Sequence, residues 1–267
     1  SLMESLMRNA MKMMPPRPGG GGAPAAPAAN VQTPTLEEQL SYAPEISWTY
    51  ELGGRCEMFG RRLSTTFALF YTKVNDIQII QLVDQGQAGR IVTNAGKSVS
   101  QGAELSMRYN PTGNFTLFAE YGFADAKFKN YQTEKRENGK TVPVDYSGNY
   151  IPFAPQHTLS VGASYVYNFR YGSFIDRLIA NMQYTGAGKI YWTEDNSAYQ
   201  PFYGLTNATI TAEKGSFGLE IWGKNLFDKK YNSFYFRASD MTGKENAYVQ
   251  RGYPVRFGAT VRYTLNR

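Results

Sequence analysis

Residues 253–265 read YPVRFGATVRYTL. Every second residue from Val255 is apolar or aromatic: Val255, Phe257, Ala259, Val261, Tyr263 and Leu265. Arg256, Gly258, Thr260, Arg262 and Thr264 stand between them. Side chains alternate across a strand, so this period gives one apolar face and one polar, cationic face. The same period recurs in eight earlier segments, and the connections between segments are alternately short and long. No helix or mixed fold carries that combination, and it fixes the class as all-β.

The earlier segments are 46–54, 62–80, 90–110, 114–128, 157–169, 177–193, 202–214 and 217–231. In the first, Ile46, Trp48, Tyr50 and Leu52 oppose Glu51. In the third, Ala103, Leu105, Met107 and Tyr109 oppose Glu104, Ser106 and Arg108. The links RCEMFGR, PTG, RYGSFID and GS are short. The links around QLVDQGQAG, across 129–156, through EDNSAYQP and across 232–252 are longer. An up-and-down antiparallel transmembrane barrel has this rhythm, with tight periplasmic turns and long extracellular loops. Ten residues rising about 3.3 Å each and tilted about 45° span roughly 24 Å, near the height of such a barrel's apolar band. A further strand in 128–156 is not expected, because Pro143, Pro152 and Pro155 crowd it. Residues 45–267 are therefore expected to be barrel strands. Residues 1–44 are Met-rich, then Pro/Gly/Ala-rich, and are expected to form a surface loop or disordered segment.

Composition agrees without deciding. No apolar run reaches the length of a transmembrane helix. The mean hydropathy of −0.44 is compatible with a barrel, whose alternation averages to a soluble value. The formal charge of +6 comes with no nucleic-acid recognition motif. The lone Cys56 makes no intrachain disulfide, and segment 1–14 lacks the apolar stretch of a signal peptide. Nine strands are an odd number, whereas bacterial single-chain barrels have even numbers, so a piece of a larger barrel is expected. Its lumen would be lined by Glu51, Glu104, Arg108, Glu120, Glu220, Arg256 and Arg262. Two alternatives share the pattern: a self-contained outer-membrane porin or adhesin barrel, and a soluble β-sandwich binding protein.

Four stretches narrow the choice. SWTYELGGR (47–55), SQGAELSMRYNPT (100–112), PQHTLSVGASY (155–165) and GKNLFDKKY (223–231) occur in that order. With this spacing the chain resembles the C-terminal barrel half of TonB-dependent outer-membrane receptors. The resemblance implies the last nine strands of a barrel of about 22, in the outer membrane of a Gram-negative bacterium. It also implies an N-terminal plug and a TonB-contacting segment outside this sequence, and active uptake of a scarce nutrient such as a ferric chelate or cobalamin. This stretch alone is then not expected to transport. Arg256, Gly258, Val261 and Tyr263 resemble the terminal signal read by the barrel-assembly machinery. The family usually stops at an aromatic residue; here Asn266 and Arg267 follow Leu265.

No catalytic or cofactor constellation is present. The single histidine, His157, cannot build a triad or a multi-histidine metal site. GAGKI (186–190) has Ile190 where a phosphate loop needs Ser or Thr. Asp76, Asp84, Asp125, Asp145 and Asp195 read as solvated loop acids. Binding is the plausible chemistry. Tyr191, Trp192, Tyr199, Tyr203, Tyr235 and Tyr248 are the candidate ligand contacts, with Tyr146 and Tyr150 nearby. Such rings stack on flat or chelated ligands, or else form the aromatic girdle at the lipid interface. Lys135, Arg136, Lys140, Arg237, Lys244 and Arg251 give the loops a basic character. The expected partners are a small nutrient, the TonB complex, the assembly machinery and membrane lipid.

Overall fold

The computed structural model describes residues 43–84, 88–137, 140–239 and 244–265. Almost all of segment 1–44 lies outside these residues. The chain enters β1 (Ile46–Met58), turns at 59–62 and returns as β2 (Leu63–Asn75). The strands β3 (Gln78–Asp84) and β4 (Ala88–Asn94) form a separate hairpin. Then come β5 (Lys97–Thr112), β6 (Phe115–Asn130) and a second hairpin, β7 (Gln132–Glu137) with β8 (Lys140–Asp145). The strands β9 (His157–Asn168) and β10 (Arg177–Gly188) lead to the short pair β11 (Ile190–Tyr191) and β12 (Tyr199–Gln200). The last elements are β13 (Tyr203–Lys214), β14 (Phe217–Lys224), the hairpin β15 (Asn232–Ser239) with β16 (Glu245–Arg251), and β17 (Arg256–Tyr263).

Nine of these form one antiparallel sheet in the order β1-β2-β5-β6-β9-β10-β13-β14-β17. Every neighbour in the sheet is the next of these nine strands in sequence. A meander of this kind puts all the short turns (59–62, 113–114, 169–176, 215–216) at one end and all the long connections at the other. One of the two two-residue turns is Gly215-Ser216, where Gly215 takes φ 55°, a conformation glycine adopts without steric cost. Beside it, Asp176 accepts from Lys214 Nζ at 2.7 Å and from the Gly215 amide at 2.8 Å, tying two turns together.

The register sets the faces. Leu52 pairs with Leu69, Leu69 with Ala103 and Ala103 with Phe123. Further on, Ala180 pairs with Ile210, Ile210 with Ile221 and Ile221 with Ala259. Opposed residues share a face, so the apolar sets of all nine strands merge into one continuous band. Its members are exposed, Val261 by 74% and Leu69 by 53%. Aromatic pairs edge the band at the short-turn end: Phe115–Tyr165 at 6.3 Å and Phe217–Tyr263 at 4.8 Å. Toward the long-connection end, His157 packs on Tyr121 and Phe123, and Tyr121 Oη lies 2.8 Å from His157 Nδ1. An exposed apolar band between aromatic edges is a surface made for lipid. It spans without helices; no described helix is long and apolar enough to cross a membrane.

The opposite face is polar. Glu104 pairs with Ala68 and Gly122, Ser106 with Glu120, Glu120 with Ser160, and Glu220 with Thr211 and Thr260. Glu51, Arg108, Arg256 and Arg262 have the same parity. Asn181 Nδ2 donates to Thr209 Oγ1 at 3.0 Å and Gln183 Nε2 to Ser160 Oγ at 3.0 Å, so side chains bond across strands on this face.

Strand ends differ from the sequence expectation at the long connections. The second segment does not continue to residue 80: Asp76 takes φ 54°, and the chain restarts as the separate β3–β4 hairpin. The eighth stops at Lys224, because Asn225 turns. The region 128–156, expected to be strandless, holds β7 and β8, with Pro143 inside β8 opposite Glu134. Pro is tolerated there because a two-stranded hairpin has only edge strands. That hairpin lies outside the nine-stranded sheet.

Candidate functional site

The long connections interlock. Beneath them Ala95, Phe128 and Tyr131 are buried, Phe128 completely, and Ile77, Ile79, Tyr146 and Ile151 pack against them. This small core joins the connection after β2 to the one after β6. The connection between β10 and β13 is laced to the second of these. The Phe153 amide donates to Tyr191 O at 2.8 Å and the Gln156 amide to Lys189 O at 3.0 Å. Asn196 accepts from the Tyr150 amide at 2.7 Å and donates back to the Tyr150 carbonyl at 2.9 Å. Tyr131 Oη donates to Glu194 Oε2 at 2.8 Å.

The β15–β16 hairpin is tied in by charge. Asp195 accepts from Thr193 Oγ1 at 2.5 Å, Ser197 Oγ at 2.6 Å and the Ser197 amide at 3.1 Å. Arg237 on β15 reaches Asp195 Oδ2 at 3.4 Å and Ser197 Oγ at 2.7 Å, and its Nε donates to Tyr235 Oη at 3.0 Å. Burial works against the Asp195 carboxylate. The hydrogen bonds from Ser197 and Thr193 and the Arg237 charge outweigh it, and hold its pKa down at about 2. Phe234 stacks on Phe153 at 5.6 Å, tying the same hairpin to the connection between β8 and β9 as well.

The NLFD stretch is a turn lock. Asn225 is buried, and its Oδ1 accepts from the Lys229 amide at 2.8 Å. Its Nδ2 donates to Lys229 O at 3.0 Å and Tyr253 O at 2.9 Å. Asp228 Oδ1 accepts from the Val255 amide at 3.0 Å, so both ends of the last long connection are pinned beside each other.

The six candidate ligand aromatics do not converge on one point. Tyr191 and Tyr199 do meet, at 5.9 Å, with Lys189 Nζ 4.5 Å and 4.1 Å over their rings. Tyr191 also stacks on Tyr150 at 5.0 Å and 8°. Tyr150 bridges to Lys127, which stands on the apolar-band face. Trp192 is buried and packs on Phe153 at 5.6 Å. Tyr203 pairs with Ala187 on the polar face and stacks on Tyr231 at 4.3 Å. Tyr235 and Tyr248 share the β15–β16 hairpin. Tyr248 stacks on Phe236 at 5.0 Å, while Tyr235 is opposite Val249. Sequence reasoning missed the Asp195–Arg237 tie and the Asn196 clamp. Their only trace in the sequence is the turn-forming run TEDNS.

The five candidate loop acids are spread out. Asp125 pairs with Lys127 at 2.9 Å, Asp145 accepts from the Ser147 amide at 2.8 Å, and Asp195 holds Arg237. No group of metal-ligating side chains occurs among the described residues. The side chains of Asp84, Lys135, Arg136 and Lys140 lie outside the described set.

Residues 15–226 match the family model described as TonB dependent receptor-like, beta-barrel. The pesticin receptor of Yersinia pestis is 26% identical over 77% of this chain and 28% of its own length. A probable TonB-dependent siderophore receptor of Acinetobacter baumannii, PiuA, is 23% identical over 70% of this chain and 24% of its own. The crystal structure of the ferric yersiniabactin uptake receptor FyuA from Yersinia pestis superposes with a TM-score of 0.66 at 22% identity. It covers 83% of this chain and 30% of that one. The chain thus spans less than a third of the length of these relatives. The match sets aside both the soluble sandwich and the self-contained porin or adhesin barrel. The chain belongs to the TonB-dependent receptor family, a family of receptors rather than enzymes, and forms part of a β-barrel in the Gram-negative outer membrane.

Proposed function

We propose that this chain is the C-terminal wall and part of the outer loop cap of a receptor for active uptake of a small, scarce solute, with a ferric chelate as the first choice and cobalamin as the second. The observation that carries the reading is the interlocking of all the long connections at one end of a sheet whose other face is polar. In this reading that end is extracellular, the short turns are periplasmic, and the polar face is the lumen. The name of one relative, a probable siderophore receptor, favours a chelate. Within the cap, Tyr203 on the polar face and Tyr235 and Tyr248 on the β15–β16 hairpin are the rings we assign to the solute. Tyr191 and Tyr199 belong to the ring cluster that leads through Tyr150 to Lys127 on the apolar-band face, and Trp192 to the loop packing. Energy would come from TonB through a plug supplied by other parts of the receptor. Arg256, Gly258, Val261 and Tyr263 serve the assembly machinery.

Growth of a receptor-deleted strain, complemented with the full-length receptor, tests the solute. Under iron limitation, a panel of ferric catecholate, hydroxamate and phenolate chelates is supplied, and cobalamin is supplied to an auxotroph. Receptor-dependent growth on a ferric chelate, weakened by Tyr203→Ala, is expected; growth on cobalamin alone would reject the iron reading. Orientation is tested separately. In a Cys56→Ser background, an impermeant maleimide on intact cells should label Tyr248→Cys and not Tyr171→Cys. The reverse result inverts the barrel.

A further inference from the structure

The apolar-band face does not end at its aromatic edge. Lys73 on β2 and Lys127 on β6 are both register partners of Val99 on β5. They therefore flank one residue across three adjacent strands, about 10 Å apart. Lys97, two residues from Val99, has the same parity and is exposed. The next rung toward the membrane is Tyr71–Gln101–Asp125, and the one after it Leu69–Ala103–Phe123. The lysines thus stand one mixed rung beyond the apolar residues, in a rung they share with Trp48 and Val99.

The group extends sideways through rings. Lys127 Nζ lies 2.9 Å from Asp125 Oδ1 and 4.6 Å from the Tyr150 ring centroid. Tyr150 stacks on Tyr191, and Lys189 sits over Tyr191 and Tyr199. Among these residues four lysines face one carboxylate. An exposed lysine row facing plain solvent needs no such alignment, and screening leaves it little effect. Here the row stands against a bilayer surface, beside tyrosines whose hydroxyls donate hydrogen bonds. Ammonium groups carry three donors each and match the oxygens of a phosphate.

We propose that Lys73, Lys97, Lys127 and Lys189, with Tyr150, Tyr191 and Tyr199, bind the phosphate groups of a phosphorylated lipid in the outer leaflet. The acyl chains lie along the apolar band, beyond the Tyr71–Gln101–Asp125 rung. Asp125 positions Lys127 and leaves it donors for the lipid. The assignment rests on the orientation proposed above, which the maleimide labelling decides on its own. It does not depend on which solute is carried.

Native mass spectrometry of the full-length receptor in detergent tests it, with bisphosphorylated lipid A, its dephosphorylated counterpart and inorganic pyrophosphate as probes. The phosphorylated lipid should be retained several-fold more than the dephosphorylated one, and pyrophosphate should not be retained. Replacing the four lysines together by Gln should abolish the preference, and replacing them by Arg should keep it. Variants are compared only where heat-modifiable gel mobility shows a folded barrel. Equal retention of the two lipids, an undiminished preference in the Gln variant, or pyrophosphate binding as well as the lipid would each overturn the proposal.

Discussion

Single side chains decide where this sheet stops and what its loops do. Asn225 ends a strand because its amide supplies the hydrogen bonds the turning backbone lacks. Gly258 works by absence. A Cβ there would run into the Trp222 ring, which lies over it from the opposed strand. Gly258→Ala should cost about 1–3 kcal/mol by overpacking. With Trp222→Leu in place the added loss should shrink, because the two residues share one space. Urea unfolding of the full-length receptor in lipid reads both, and simple additivity would reject the contact.

Asp195 makes a different expectation. Its pKa of about 2 lies below the ordinary 3.8, so its ionised form favours the folded loop. That contribution is complete above about pH 4 and is lost as pH falls toward about 2. The side chain is partly exposed, so the effect is local. Hydrogen exchange at the Ser197 amide, corrected for the intrinsic rate, should show protection falling over that window. Asp195→Asn should remove most of it at neutral pH. Unchanged protection in the variant would mean that Asp195 does not hold the loop.

At the scale of elements, the strand pattern was legible because lipid on one side and water on the other impose period two on every rung. All nine sheet strands were readable from that alternation. The Asn-Leu-Phe-Asp stretch also marked its own turn. The hairpins β3–β4, β7–β8 and β15–β16 were not readable, because outside the membrane no face is fixed and a residue such as Pro143 is tolerated. The loop ties were hidden for another reason: Asp195 and Arg237 are distant in sequence, and only folding brings them together. Where the pattern is strong it predicts a sided response. Val261→Arg places a guanidinium on the apolar band, at a cost between about 1 kcal/mol near the interface and about 4 kcal/mol at the midplane. Thr260→Arg lies on the other face, directly opposite Glu220, and should cost little or gain a pairing. Unfolding of the receptor in lipid vesicles compares them, and equal losses would show that the faces are wrongly assigned.

For the molecule as a whole, the sheet has two open edges among its described residues: β1 pairs only with β2, and β17 only with β14. Lipid offers no hydrogen bonds to such an edge, and each exposed amide or carbonyl there costs several kcal/mol. In a full receptor the rest of the barrel closes both edges, consistent with the chain's spanning 28% of the pesticin receptor. On the polar face, Glu104 and Glu120 likewise stand on a sheet whose two edges do not meet among the described residues. Produced alone and refolded into detergent, the 267-residue chain should therefore pair edge to edge and form oligomers. The full-length receptor under the same conditions should give a monodisperse, heat-modifiable monomer. Analytical ultracentrifugation separates the two results. A folded, protease-resistant monomer of the isolated chain would show that nine strands can close by themselves, and that the odd number carries no demand for the rest of the barrel.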